Sequence, residues 1–170
     1  MDNDHFSFRE VYREHLRPIR AYVARRVPFG EVEDLAADVF AVAWSKRASV
    51  TPGEELPWLY RIASFVVANH RRKEQHRLDV LWLFHEPDTA PAADSFLETD
   101  PDLAQAWKRL TSAQQELLAL VVVEGLAVQD VAFVMGTTPN AVSIRLHRAK
   151  KHLAEGLEKF QSERLSSEGT

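Results

Sequence analysis

Apolar residues recur at helical spacing over most of the chain, and no stretch alternates long enough to predict a strand. From Phe8 to Val27 the residues Phe8, Val11, Tyr12, Ile19 and Val23 share a face, while Pro18 removes a backbone donor, which predicts one bent helix or two short ones. After a Pro28-Phe29-Gly30 turn, Val32, Leu35, Ala36, Val39, Phe40, Ala43 and Trp44 follow an i, i+3, i+4, i+7, i+8 series, an amphipathic helix of about three to four turns. The polar stretch from Lys46 to Glu55, with Pro52-Gly53, predicts a loop. Pro57 then stands near the first turn of a helix carrying Trp58, Leu59, Ile62, Ala63 and Val66 and ending in Arg71, Arg72, Lys73 and Arg77.

The stretch from Asp79 to Pro101 reads as an acidic, proline-bearing linker, within which Leu81-Trp82-Leu83-Phe84 is apolar enough to dock on something. The helical pattern resumes through Leu103, Ala106, Trp107 and Leu110, and Ser112 with Gln115 has the form of a capping box opening a helix to about Glu124. The last ten residues read as a polar tail. These patterns predict an all-α protein of two small helical domains, 1–78 and 102–160, joined by the acidic linker 79–101 and followed by the tail 161–170.

The second half holds the most specific pattern. Gly125 follows one apolar helix, and Gly136 follows a short one containing Val128, Val131, Ala132 and Met135, as expected of glycine beyond a helix end. Thr138 is a good N-cap and Pro139 fits the first helical position, so Gly136-Thr137-Thr138-Pro139 makes the tight connection of a helix-turn-helix. In the following helix Val142, Leu146, Ala149 and Leu153 form an inward stripe, whereas Asn140, Ile144, His147 and Lys151 project oppositely, flanked by Ser143 and Arg148. A polar, cationic outward stripe suits major-groove insertion. Asn140 and Ser143 are the base-edge candidates, Ile144 can touch a thymine methyl, and Arg148, Lys150 and Lys151 supply sequence-blind affinity.

Taken over the whole chain, a net charge of −4 opposes a polyanionic partner. Residues 81–104 carry no Lys or Arg against six acids, however, and without them the balance is 21 cations to 19 anions, with the cations clumped at Arg71 to Arg77 and Arg145 to Lys151. The absence of cysteine excludes thiol catalysis, disulfides and cysteine-ligated metal. His70 and His76, and His147 and His152, lack the i, i+4 spacing of paired helical ligands, and neither a glycine-rich phosphate loop nor a nucleophile elbow occurs. No metal, no cofactor and no enzymatic activity are expected. No apolar run approaches the roughly 20 residues that cross a bilayer, and the first five residues are acidic where a secretory leader is basic, so no membrane insertion and a cytoplasmic location are expected.

Glu124-Gly125-Leu126, Asp130-Val131-Ala132, Met135 through Val142 and Arg145-Leu146-His147-Arg148-Ala149 together resemble the fourth conserved region of the sigma-70 family of bacterial RNA polymerase specificity factors, in its small extracytoplasmic-function (ECF) group. Glu33-Asp34-Leu35, Asp38-Val39-Phe40 and Trp44, then Trp58 through Ala63 and on to Arg71-Arg72, resemble its second region, in the right order. The resemblance implies a transcription initiation factor that binds core RNA polymerase and directs it to promoters, with region four on the −35 element and region two on the polymerase clamp and the −10 element. Family members are often held inactive by an anti-sigma factor that clamps both lobes, which makes such a protein a further candidate partner.

Carried onto this chain, the −35 contacts fall on Thr138, Asn140, Ser143, Ile144, His147, Arg148 and Lys151. Glu31, Asp34 and Asp38 share a helix face by spacing, and the resemblance implies that this face, with Leu35 and Phe40, docks on the clamp helices of the largest polymerase subunit. Trp58 and Tyr60 are two apart and cannot share a face, so at least one is expected to be available to an unstacked base of the −10 element, with Arg61, Arg71, Arg72 and Lys73 on the phosphates. The chain also departs from the family. The loop from Lys46 to Glu55, with which relatives capture a flipped base, has no aromatic residue, and Ser64-Phe65 and Asn69 stand where arginine-asparagine and aspartate are usual. Likewise Thr111 replaces a common proline and Ala141 a common threonine. Two other functions fit the same elements: a stand-alone helix-turn-helix regulator, and a helical decoy that sequesters polymerase or an anti-sigma factor.

Overall fold

The computed structural model describes residues 7–81 and 100–168, and the described residues are helical and contain no strand. They form two compact units, each with its own core.

The first unit is a three-helix bundle of α1 (Phe8–Ala24), α2 (Val32–Ser45) and α3 (Glu55–Leu81). Helix α1 runs through Pro18 as one element. The three helices pack on one another, burying Ile19, Tyr22 and Val23 of α1, Leu35, Ala36, Val39 and Ala43 of α2, and Leu59, Tyr60, Ala63 and Val67 of α3. Full burial of each large aliphatic side chain among them contributes about 1.5–3 kcal/mol. The Tyr22 and Tyr60 rings meet edge to face, 5.4 Å apart. The Arg26 guanidinium lies 3.6 Å over the Tyr22 ring and donates to the Tyr22 carbonyl, closing the end of α1. At the surface Arg20 pairs with Glu33, whose hydrogen bond and charge raise the Arg20 pKa above its ordinary value.

Helix α3 outlasts the core it packs on. Trp58, Leu59, Tyr60, Ile62, Ala63 and Val67 are buried, but from Ala68 to Arg77 no side chain is, and the helix continues to Leu81. The first residues assigned from sequence to a linker are therefore helical. The apolar run Leu81-Trp82-Leu83-Phe84 lies, past Leu81, outside the described residues.

The second unit comprises α4 (Pro101–Lys108), α5 (Ser112–Leu118), α6 (Val128–Met135) and α7 (Pro139–Glu168). Asp100 caps α4 through bonds from the Asp102 and Leu103 N–H groups at 3.0 and 3.1 Å. The capping box of α5 sits one residue earlier than Ser112 and Gln115 predict. Thr111 Oγ1 accepts from the Gln114 N–H and Gln114 Oε1 from the Thr111 N–H, while Gln115 donates instead to the Trp107 carbonyl at 2.8 Å. Helix α5 opens into a wider π turn, Ala119–Val123, in which the Glu124 N–H reaches the Ala119 carbonyl, and Gly125 ends it at φ 70°. Trp107, Leu110, Leu118, Ala119 and Ala149 form one cluster of the core, with Leu146 and Leu153 packed against it, and Leu117, Leu120, Val131 and Val142 are buried as well.

The polar stretch read as a tail is part of α7 as far as Glu168. It is held along α4, because the Phe160 ring lies 4.2 Å from the Arg109 guanidinium and Arg164 lies 3.0 Å from the Asp102 carboxylate.

Candidate nucleic-acid interface

The turn between α6 and α7 is built by backbone bonding. Gly136, at φ 64° and ψ 40°, lets the Thr137 N–H reach the Ala132 carbonyl at 2.9 Å and its own N–H reach Phe133 at 3.2 Å, which satisfies the last carbonyls of α6. Thr138 Oγ1 then accepts from the Ala141 N–H at 3.2 Å and starts α7. With both ends fixed in this way, the first turns of α7 have a defined orientation relative to α6.

On α7 the two stripes separate as their spacing requires. Val142 and Ala149 are fully buried and Leu146 and Leu153 half-buried. Asn140, Ser143, His147, Arg148 and Lys151 are exposed, and Ile144 is 46% exposed. Arg145 and Lys150 add two further exposed cations. Ser143 Oγ donates to the Pro139 carbonyl at 3.0 Å, so its hydroxyl proton is engaged by the helix while its lone pairs still face outward. Lys151 lies 3.9 Å from Glu155, a long and solvated contact that leaves its ammonium available to a phosphate. Thr138 is exposed, but its hydroxyl serves the helix start.

The first unit corrects four of the residues expected to make contacts there. Trp58 and Tyr60 are both buried, at 8% and 1% exposure, so neither is open to a base. The beginning of α3 is packed by α1 and α2 over much more than a single stripe, so residues two apart can both be covered. Leu35 and Phe40 are likewise core residues, at 7% and 5%. Glu31 is turned toward α3, where its Oε2 lies 2.7 Å from His70 Nε2 without the alignment of a hydrogen bond. Asp34 and Asp38 remain exposed on α2. Among the predicted cations Arg72 and Lys73 are exposed, Arg71 donates to the Arg26 carbonyl at 3.2 Å, and Arg61 is half-buried.

Several exposed aromatic residues have no counterpart in the predicted site. Trp44, 51% exposed, and Tyr12, 42%, flank the buried Phe40, with Phe8 set edge-on to Trp44 at 5.1 Å and the Arg47 guanidinium 4.0 Å from the Trp44 ring centroid. Trp44 obeys the apolar period of α2, and only its place in the last turn, where α1 begins, leaves it uncovered. Phe65 is 61% exposed on α3 although it stands three residues after the buried Ile62 and seven after the buried Trp58, so spacing alone does not announce its exposure. No group of three or more His, Asp or Glu side chains among the described residues is placed to hold a metal ion.

Together these features define a two-unit helical protein with a helix-turn-helix whose second helix presents a cationic, polar face. Residues 11–77 match the family model for Sigma-70 region 2 and residues 102–153 that for Sigma-70, region 4, more than two thirds of the chain between them. RNA polymerase sigma factor CarQ of Myxococcus xanthus is 27% identical over 92% of this chain and 92% of its own. The ECF RNA polymerase sigma factor BldN of Streptomyces coelicolor is 31% identical over 87% of this chain and 59% of its own. In fold, the chain resembles the sigma factor RpoE solved with the anti-sigma factor NepR from Bartonella quintana, with a TM-score of 0.69 at 23% identity over 89% of this chain and 96% of that one. The chain belongs to the sigma-70 family of RNA polymerase sigma factors, in its ECF group.

Proposed function

We propose that this sigma factor binds core RNA polymerase through the exposed acidic face of α2 and reads promoter DNA with both units, α7 on the −35 element and α3 on the −10 element. The observation that carries the reading is α7 itself, a helix fixed at its start by Gly136 and Thr138 and presenting Asn140, Ser143, Ile144, His147, Arg148 and Lys151 to solvent. Residues near its N-terminus are placed for base edges, and the later cations for phosphates. On α2 the docking residues are Asp34 and Asp38, with Tyr12 and Trp44 as neighbouring apolar surface in place of Leu35 and Phe40. The protein acts by binding, in the cytoplasm, and an anti-sigma factor of the kind bound to its Bartonella relative is its proposed antagonist.

Run-off transcription with core polymerase and a randomised promoter library tests this directly. Initiation that depends on the added chain and enriches a paired −35 and −10 sequence is the expected result. A chain that shifts DNA alone but never programs polymerase is instead a stand-alone regulator, and one that only inhibits transcription is a decoy.

A further inference from the structure

The outward stripe of α7 changes sign partway along the helix. At 100° per residue, Asn140, Ile144, His147, Lys151, Glu155 and Glu158 all fall within about 40° of the Lys151 direction. Between Asn140 and His152 the helix carries four Lys or Arg side chains and no carboxylate, whereas between Leu153 and Gln161 it carries Glu155 and Glu158 against Lys159 alone. Lys159 is turned about 80° away from the stripe, so the stripe itself is cationic up to Lys151 and acidic beyond it. Helix stability does not account for this order, because a carboxylate four residues before a lysine supports a helix better than the reverse arrangement of Lys151 and Glu155. Nor do the two neutralise each other, since they lie 3.9 Å apart with both side chains more than half exposed. By helical rise Glu155 stands about 6 Å beyond Lys151 along the axis, inside the roughly 8 Å over which charges are felt at physiological salt, and Glu158 about 10 Å beyond, outside it. A phosphate met by Lys151 therefore lies in the field of Glu155.

We propose that Glu155 ends the DNA-contacting stripe of α7 at Lys151 and opposes the phosphate backbone directly, lowering the affinity of the helix for every duplex alike. The inference rests on the reading that the first turns of α7 lie in the groove of the −35 duplex, and adds to it the residue that bounds the contact. Repulsion between a carboxylate and phosphates carries no sequence information. It restrains the sequence-blind attraction of Arg148, Lys150 and Lys151 and leaves the choice among −35 sequences to Asn140 and Ser143. For one pair of unit charges about 6 Å apart in water, the effect is a factor of roughly three in binding.

The test titrates core polymerase loaded with the full chain onto fluorescein-labelled promoter duplex drawn from the library selection, and onto the same duplex cut short of the −35 element, between about 50 and 200 mM salt. At the lowest salt Glu155→Gln is expected to tighten binding to the full duplex roughly threefold, and Glu155→Lys roughly tenfold with a salt slope steeper by about one unit. Glu155→Asp keeps the charge and should bind as the unaltered chain does. The gains should be equal across −35 variants, absent from the shortened duplex, and retained in a Lys151→Ala background. Glu155→Lys binding the full duplex no more tightly than the unaltered chain at every salt concentration overturns the proposal. So does a gain that disappears with Lys151→Ala, which makes Glu155 a competitor for the Lys151 ammonium only, and so does a gain that survives on the shortened duplex. Circular dichroism accompanies each variant, and Glu155→Gln decides the matter if the lysine variant loses helicity. Unchanged DNA binding by both Asn140→Ala and Lys151→Ala removes the placement of α7 and this inference together, whereas losses there beside an indifferent Glu155 remove the inference alone.

Discussion

Gly156 of α7 lies so close to Ala106 of α4 that a Cβ built on it would sit 3.3 Å from the Ala106 Cβ and 3.5 Å from its Cα. The missing side chain lets the far half of α7 pack down on α4, where the Arg109–Phe160 and Asp102–Arg164 contacts continue the seam. Gly156→Leu is therefore expected to destabilise the second unit by about 1–3 kcal/mol through overpacking. Gly156→Ala should change it far less, since a helix-propensity gain of up to about 1 kcal/mol offsets the tight contact. Amide hydrogen exchange in α4 and α7 reads both, and equal protection in Gly156→Leu and the unaltered chain would remove the close approach as a constraint.

The connection before α7 depends on two residues whose substitution leaves its DNA-facing side chains intact. Gly136 is held at φ 64°, where an L side chain costs roughly 1–2 kcal/mol, and loss of the Thr138 cap costs about 0.5–2 kcal/mol. Gly136→Ala and Thr138→Ala should thus lower the urea midpoint of the second unit and weaken −35 binding for all sequences together. A change in base preference in either variant would mean that the residue touches DNA directly.

Side chains on the exposed stripe of α7 are expected to divide by role. Asn140→Ala should relax preference at one −35 position, by about 1–3 kcal/mol if the amide makes a bidentate adenine contact, with no change in melting temperature. Lys151→Ala should weaken every sequence alike and reduce the salt slope of binding by about one unit. Titrations of the loaded polymerase over a −35 variant library at several salt concentrations separate the two. Sequence-dependent losses at Lys151, or uniform ones at Asn140, would exchange the assignments.

The sequence made the helix-turn-helix legible down to single residues because glycine beyond a helix end, a threonine cap and N1 proline are local chemistry, independent of distant parts of the chain. Three features were not readable in this way. Spacing does not decide between Thr111 and Ser112 as the cap of α5, because both are good caps and the choice is made by Gln114 and Gln115 finding different partners. The burial of both Trp58 and Tyr60 is not legible from spacing, because helical spacing says which residues share a face but not how many faces neighbouring helices cover. The polar stretch after Phe160 carries no apolar period of its own, and its helix is supported by side-chain pairing to α4.

Helix α2 allows the sharpest separation of folding from partner binding, because it carries Leu35 and Asp38 three residues apart, the first 7% exposed and the second facing solvent. Leu35→Ala removes buried surface between helices and is expected to cost about 2–5 kcal/mol of stability. Its effect on polymerase binding should then follow the folded fraction. Asp38→Arg touches no core residue, so helicity and melting temperature should stay within error of the unaltered chain. Reversing the charge on a docking face should nevertheless weaken core polymerase binding on the order of tenfold, mainly by slowing association, with an effect that shrinks as salt rises. Surface plasmon resonance against immobilised core enzyme at two salt concentrations, beside thermal melts, reads both variants. An Asp38→Arg protein that folds and binds polymerase with unchanged rates would move the docking face off α2.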